Sequence, residues 1–162
     1  MPIARALDAW RTAEREWAAI DPSAEEERAR AAALEVIHAS LAYQQLAGSF
    51  DAQAVLVADR SGAFVAANDE AGSLLGLPVR DILGRTVADI SAPGWSMLRE
   101  GMWQEFLDSG TMRGAYAVLR DGGELPVRYD ARAHHPLPGY FTSRLWRVAE
   151  ESLDRAPSVS PL

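Results

Sequence analysis

The chain contains no cysteine, and that single absence removes disulfides, thiolate nucleophiles, thiolate-bound zinc and iron–sulfur clusters together. It also leaves the redox state of the compartment open. Long hydrophobic runs are missing: no stretch approaches the roughly 18 apolar residues of a membrane span. The opening MPIARALDAW is broken by Asp8, with Arg11 and Glu14 close behind, so no secretory apolar segment forms. The expectation is a cytoplasmic protein with no membrane contact. Runs of basic residues are missing as well, and the net charge is -7 with a pI near 4.9. Such a chain repels polyanions unless a local basic patch outweighs the total, so no nucleic-acid partner is expected. Neither a G-x-S-x-G elbow, a Walker loop nor a G-x-G-x-x-G turn occurs, and the chain is read as a non-enzyme.

What is present is an ordinary globular composition, 48% hydrophobic and 24% charged over 162 residues, enough for one domain with a real core. Its organising stretch runs from Val57 to Gly76, VADRSGAFVAANDEAGSLLG. An apolar run, Ala54 to Ala58, meets the polar turn Asp59-Arg60-Ser61-Gly62 and a second apolar run, Ala63 to Ala67, which is the pattern of a β-hairpin. Asn68 suits the cap of a following helix, and Asp69 and Glu70 place negative charge at its positive end. Gly76 suits the left-handed residue that ends it. On this reading Asp59 and Asn68 are turn and cap residues rather than chemical groups.

Before this stretch, Ile3, Ala6, Trp10, Ala13, Trp17 and Ile20 recur at steps of three and four, an a/d seam on one helix. Two tryptophans on so narrow a seam must pack against something. Asp21-Pro22-Ser23 breaks the helix, and Ser23 with Glu26 has capping-box spacing for a second one. That helix runs through Leu34, Ile37 and Leu41 to about Leu46 and ends at Gly48. Val36 and Tyr43 widen its apolar face beyond one stripe, which favours a dimer with the helix between two surfaces. Ile3, Trp10, Trp17, Leu34, Ile37 and Leu41 are the candidate dimer-interface residues.

After Gly76 the chain is turn-rich. Ile82-Leu83-Gly84 and Val87-Ala88-Asp89-Ile90 read as brief helices before Ser91-Ala92-Pro93. A longer helix, Gly94 to Ser109, is closed by Gly110, with Trp95, Leu98, Met102 and Phe106 on one face and Trp103 and Leu107 beside it. Strand patterns follow at Met112–Arg120, Glu124–Ala133 and Tyr140–Val148, separated by Asp121-Gly122-Gly123 and by His134-His135-Pro136-Leu137-Pro138-Gly139.

The ordered set Val57, Asp59, Gly62, Asn68, Ala71, Leu74, Leu75 and Gly76 resembles the first half of a PAS domain. The crowded short helices, the Gly110-ended helix, the D-G hairpin and the P-G before the last strand fall in the same order, and the resemblance covers roughly Asp51 to Val148. It implies an α+β fold: a five-stranded antiparallel sheet with helices on one face, preceded by two N-terminal helices. The expected organisation is a helical dimerisation pair at 1–50, a PAS domain at 51–149 and a disordered tail at 150–162. The resemblance also implies a sensor that binds a small organic ligand between sheet and long helix, passing occupancy through the N-terminal helices to dimer geometry or to a separate output protein. The alternatives are a ligand-free dimerisation or interaction scaffold and a haem-binding gas or redox sensor.

Trp95, Met102, Trp103, Phe106, Tyr116 and Tyr129 are the candidate pocket residues, and the same six would serve a solid core equally well. Haem-binding members generally ligate iron from the helical side, where this chain has no histidine, which lowers that alternative. Flavin photochemistry through a cysteinyl adduct is excluded, because there is no cysteine to form it. His134 and His135 are adjacent and precede a proline, a loop arrangement in which they do not share a metal. Glu35 and His38 have E-x-x-H spacing on a helix, but the further carboxylates and second copy of a di-iron bundle are missing. No metal site is expected.

Overall fold

The computed structural model describes residues 2–49, 53–93 and 102–148. The chain separates into two compact units, one ending at Ala52 and one starting at Gln53. The first holds α1 (Pro2–Ala18) and α2 (Glu26–Leu46). Trp10 of α1 lies against Tyr43 of α2, ring centroids 5.4 Å apart. α2 buries Ala29, Ala33, Val36, Ile37, Ser40 and Leu41, the broad face expected of it.

Two local expectations fail here. α1 stops at Ala18, so Ile20 lies in the turn rather than on the helical seam. Ser23 does not cap α2: its hydroxyl and its backbone N–H both donate to Asp21 Oδ1, at 2.7 and 3.0 Å. The Asp21 carbonyl also accepts from the Ala24 and Glu25 N–H groups, so Ser23 belongs to a turn that precedes α2. The two bonds from Ser23 hold the Asp21 carboxyl below its ordinary range, the Ser23 hydroxyl being the larger cause. The N-cap position falls to Glu25, which makes no side-chain cap and instead pairs with Arg28 at 2.7 Å.

The second unit is a five-stranded antiparallel sheet in the order β2-β1-β5-β4-β3. Its strands are β1 (Ala54–Ala58), β2 (Phe64–Ala67), β3 (Thr111–Arg120), β4 (Gly123–Ala133) and β5 (Phe141–Arg147). Between β2 and β3 come α3 (Asp69–Leu75), α4 (Val79–Ile82), α5 (Val87–Ile90) and α6 (Met102–Ser109). The β1–β2 turn is held by Asp59, whose Oδ1 accepts from the Ser61 N–H at 2.8 Å and the Ser61 hydroxyl at 2.5 Å. β3 and β4 join through Asp121 and Gly122, with φ of 50° and 75°, the left-handed pair that a two-residue hairpin turn demands. α4 begins at Val79 rather than near Ile82, because Pro78, with φ fixed at -57°, sets up the first turn directly. Among the described residues no helix is long and apolar enough to cross a membrane.

Asn68 ties the two halves of this unit together. Its Oδ1 accepts from Ala71 N–H at 3.0 Å, capping α3, and from Val55 N–H at 2.9 Å in β1. Its Nδ2 donates to the Gln53 carbonyl at 2.9 Å, and its own N–H donates to the Val55 carbonyl at 3.1 Å. The side chain is only 2% exposed. An amide supplies both the acceptor and the donor this position uses at neutral pH, where a carboxylate can only accept.

Each sheet edge is contacted by the segment around α5. At β2, the Phe64 N–H donates to Arg85 O at 2.8 Å and Ala63 bridges to Thr86. At β3, Ser91 bridges to Val118 and the Ala92 N–H donates to Ala117 O at 2.9 Å. Thr86 and Ser91 are the two ends of α5, about 8 Å apart at helical rise. The sheet must therefore curl until its outer strands lie within reach of one short helix.

The β4–β5 loop places both histidines. His134 takes a left-handed φ of 52°, and its Nδ1 accepts from the Gly139 N–H at 3.1 Å. The Thr142 hydroxyl donates to the His135 carbonyl at 2.7 Å and lies 3.2 Å from His135 Nδ1. With the hydroxyl proton committed to the carbonyl, Nδ1 is the nitrogen that donates. Among the described residues no group of three or more His, Cys, Asp or Glu could hold a metal ion.

Two outcomes follow from these contacts. Asn68→Ala leaves the Val55 and Ala71 N–H groups without their side-chain acceptor and is expected to cost about 3 kcal/mol in urea denaturation. Asn68→Asp keeps the acceptor but sets a carboxylate against the Gln53 carbonyl. Its buried acid is raised, so its deficit should shrink as pH falls from 7 toward about 4, where the protonated form can donate. Burial, and then the neighbouring Arg132, lower His135 from its ordinary value of 6.5. Its ring resonances should titrate with a midpoint below 6.5, moving up in Arg132→Gln. The sign for stability follows: the fold prefers neutral His135, so its contribution is complete above the unfolded value and is lost as pH falls through the lowered folded one.

Candidate functional site

The inward face of the sheet is built in cross-strand rows. One row runs Met112, Ala131, Ser143, Leu56, and the next runs Ala133, Phe141, Ala58, Phe64. Small side chains occupy the middle of both, at Ala131, Ser143 and Ala58. The row on the other side runs Gly114, Tyr129, Leu145, Ala54, followed by Tyr116 beside Val127. There the space is taken up by rings: Tyr116 and Tyr129 meet edge to face with centroids 5.6 Å apart. One half of the sheet is thus filled by its own side chains and the other is left open.

Over the open half lies a cavity of about 340 Å³, within the range of sites for small organic molecules. Its floor is Met112, Ala131, Ser143, Phe141, Ala58 and Phe64. Thr86, Val87 and Ala88 of the α5 start form one wall, Phe106 of α6 another, and the turn residues Ser61 and Gly62 the rim. Phe106 is held in place by Phe141, centroids 5.9 Å apart. Thr86 is fixed by its capping box, its Oγ1 accepting from the Asp89 N–H while Asp89 Oδ2 accepts from the Thr86 N–H. Ser61 and Ala88 are exposed and mark the mouth.

None of the described lining residues is charged, and none is a histidine. The lining therefore offers haem no histidine ligand, and the residues present do not fit that group. The environment is apolar, with three hydroxyls, on Ser61, Thr86 and Ser143.

Of the six pocket candidates, Phe106 lines the cavity. Tyr116 and Tyr129 do not line it; they stand in the filled half, 2% and 1% exposed. Burial pushes both phenols up, in Tyr116 with a smaller contribution from Tyr129. Tyr129 Oη has no hydrogen-bond partner among the described residues. Trp95 and the side chains of Met102 and Trp103 lie outside the described residues, as do the first part of the long helix and the 150–162 tail. Of the six interface candidates, Ile37 and Leu41 are buried already in a single chain, 0% and 8% exposed. In this arrangement neither offers surface to a second copy. Ile3 is 36% exposed, and Trp10, Trp17 and Leu34 are partly exposed. Glu35 and His38 are both exposed on α2.

Reading the sequence for large aromatics missed Ala58, Ala131 and Ser143, which make the cavity by being small. The available signal was alternation: within inward-facing positions otherwise filled by Tyr, Leu, Val and Phe, these three stand out.

Comparison with known proteins agrees with this architecture. A family described as PAS fold matches residues 51–138. No curated protein matches the chain. Among solved structures, the PAS domain of a protein from Colwellia psychrerythraea is similar at 19% identity and a TM-score of 0.52, covering 65% of this chain and 95% of that one. The PAS domain of an HTR-like protein from Haloarcula marismortui is similar at 17% identity and TM-score 0.52, covering 65% and 90%. That of nitrogen regulation protein NR(II) from Vibrio parahaemolyticus is similar at 14% identity and TM-score 0.50, covering 60% and 90%. Identities this low speak for the fold alone. With the family match spanning more than half its length, the curled antiparallel sheet and the Asn68-capped helix in place, the chain belongs to the PAS family.

Proposed function

We infer that this chain acts as a sensory and signalling module, as PAS domains generally do, rather than as a catalyst. We propose that this one binds a small organic molecule in the cavity beside Ala131 and Ser143, and that occupancy is passed on through the N-terminal helical pair to dimer geometry or to a separate output protein. The observation that carries the reading is the cavity itself: about 340 Å³ of apolar space in a sheet whose other half is filled. Dimerisation through the helical pair is supported by the apolar surface that α1 keeps in the single chain, at Ile3, Trp10 and Trp17. Binding shifts an arrangement only if the ligand prefers one state over another, so ligand and assembly must be measured together.

Native mass spectrometry of gently purified protein does this. A dimer carrying extra mass that denaturation releases is the expected result, and Ala131→Leu should abolish the extra mass while moving the melting temperature by no more than about 3 °C. A bare dimer unaffected by any offered small molecule would sink the sensor reading and leave a scaffold. For the assembly, Ile3→Glu with Trp17→Glu is expected to give monomers in sedimentation at micromolar concentration. A dimer that survives deletion of residues 1–48 would move the interface elsewhere.

A further inference from the structure

Part of the hydrogen-bonding capacity of the cavity is spent before any ligand arrives. The Ser61 hydroxyl donates to Asp59 Oδ1 and accepts from the Ala63 N–H at 3.4 Å. On the wall rather than the floor, the Thr86 hydroxyl accepts from the Asp89 N–H at 3.4 Å as the cap of α5, which fixes its oxygen and leaves its proton uncommitted. Ser143 is different. It sits mid-sheet between Leu56 and Ala131, lines the cavity and has no hydrogen-bond partner among the described residues. Both of its flanking residues are apolar, so nothing beside it on the floor can satisfy the hydroxyl.

One diagonal step away, Tyr129 carries the other orphan. It pairs with Leu145, two residues from Ser143 on β5, and lies two residues before Ala131 on the same face of β4. Its buried phenol likewise lacks a partner, and buried polar groups are rarely left so. The inward face therefore presents two unspent hydroxyl donors and, among the described lining residues, no charge to receive an anion or a cation.

We propose that the cavity selects an uncharged, mainly apolar organic molecule that places one hydrogen-bond acceptor, a carbonyl or ether oxygen, against the Ser143 hydroxyl. This rests on the ligand-pocket reading above and narrows it. An ionised ligand would enter apolar space with no counter-charge, a cost of several kcal/mol. A pure hydrocarbon would leave the Ser143 hydroxyl unsatisfied, whereas a neutral acceptor removes that deficit. Ser143 is thus the specificity-determining residue of the floor.

Three probes of one shape separate the terms: acetophenone, ethylbenzene and benzoate, titrated into ¹⁵N-labelled full-length protein while the amides of Ala131, Phe141 and Ser143 are followed. Acetophenone is expected to bind about five- to tenfold more tightly than ethylbenzene, and benzoate at least about tenfold more weakly than acetophenone. Ser143→Ala should erase the advantage of the ketone while ethylbenzene binding stays within about twofold, which also shows that the variant is folded. Benzoate binding as well as acetophenone would overturn the neutral class and leave the pocket reading standing. An unchanged ketone advantage in Ser143→Ala overturns the anchor, and its loss in Tyr129→Phe instead would assign that role to the phenol. If none of the three probes moves these amides, the pocket reading fails and this inference fails with it.

Discussion

The PAS unit depends on one buried amide. Asn68 caps α3, accepts from the first residues of β1 and donates back to Gln53, so a helix start and a strand start are fixed by the same side chain. Local capping and long-range strand placement are usually separate problems, solved by separate residues. Here they are coupled, because the strand that precedes Asn68 is paired with the one whose entry it holds. Everything inserted between β2 and β3 starts from a helix whose origin is pinned to the sheet.

From that origin the covering helices follow a constrained route. α5 is bound to one sheet edge at its Thr86 end and to the other at its Ser91 end. A four-residue helix cannot span a flat five-stranded sheet at 4.7–4.9 Å per strand, so curling the sheet and covering it are one event. Curling alone would not leave a cavity. The open half exists because Ala58, Ala131 and Ser143 sit under α5 and Phe106, while the Tyr116–Tyr129 pair fills the other half. The boundary between core and site is drawn by side-chain volume along one face of three strands.

This explains which features could be read from the sequence. The strands, their turns and the caps were legible because each rests on local chemistry: alternation, Asp59 and Asp121-Gly122 at turns, Asn68 at a cap, Gly76 and Gly110 at helix ends. Ser23 does not cap α2 because Asp21 gathers it into a turn, and spacing alone cannot show that the helix starts beyond that turn. The brief helix expected at Ile82-Leu83-Gly84 lies earlier, at Val79–Ile82, because Pro78 sets its start. The site was less legible. Large aromatics such as Tyr116 and Tyr129 suggest a pocket lining, yet a large ring as readily occupies the space a ligand would need. Which it does depends on the residue across the strand, and register is a long-range property that no local pattern records.

A preformed cavity is not in itself a sensor. A ligand that meets an unchanged lining stabilises the domain and transmits nothing, since only differential affinity between two arrangements can move an equilibrium. The floor is a poor candidate for the moving part, because its strands are locked by continuous antiparallel ladders. The α5 wall is a better one. It is a single helical turn, held by a bridge at each end and a capping box whose Thr86 Oγ1 contact is a long 3.4 Å, and its cap Thr86 with Val87 and Ala88 lines the cavity. A ligand that fits only when this turn is seated would tighten the contact between the two sheet edges, and one that fits only when it is lifted would loosen it. On the reading proposed above, the Ser143 hydroxyl on the floor would set what binds, and the turn opposite would set what binding changes.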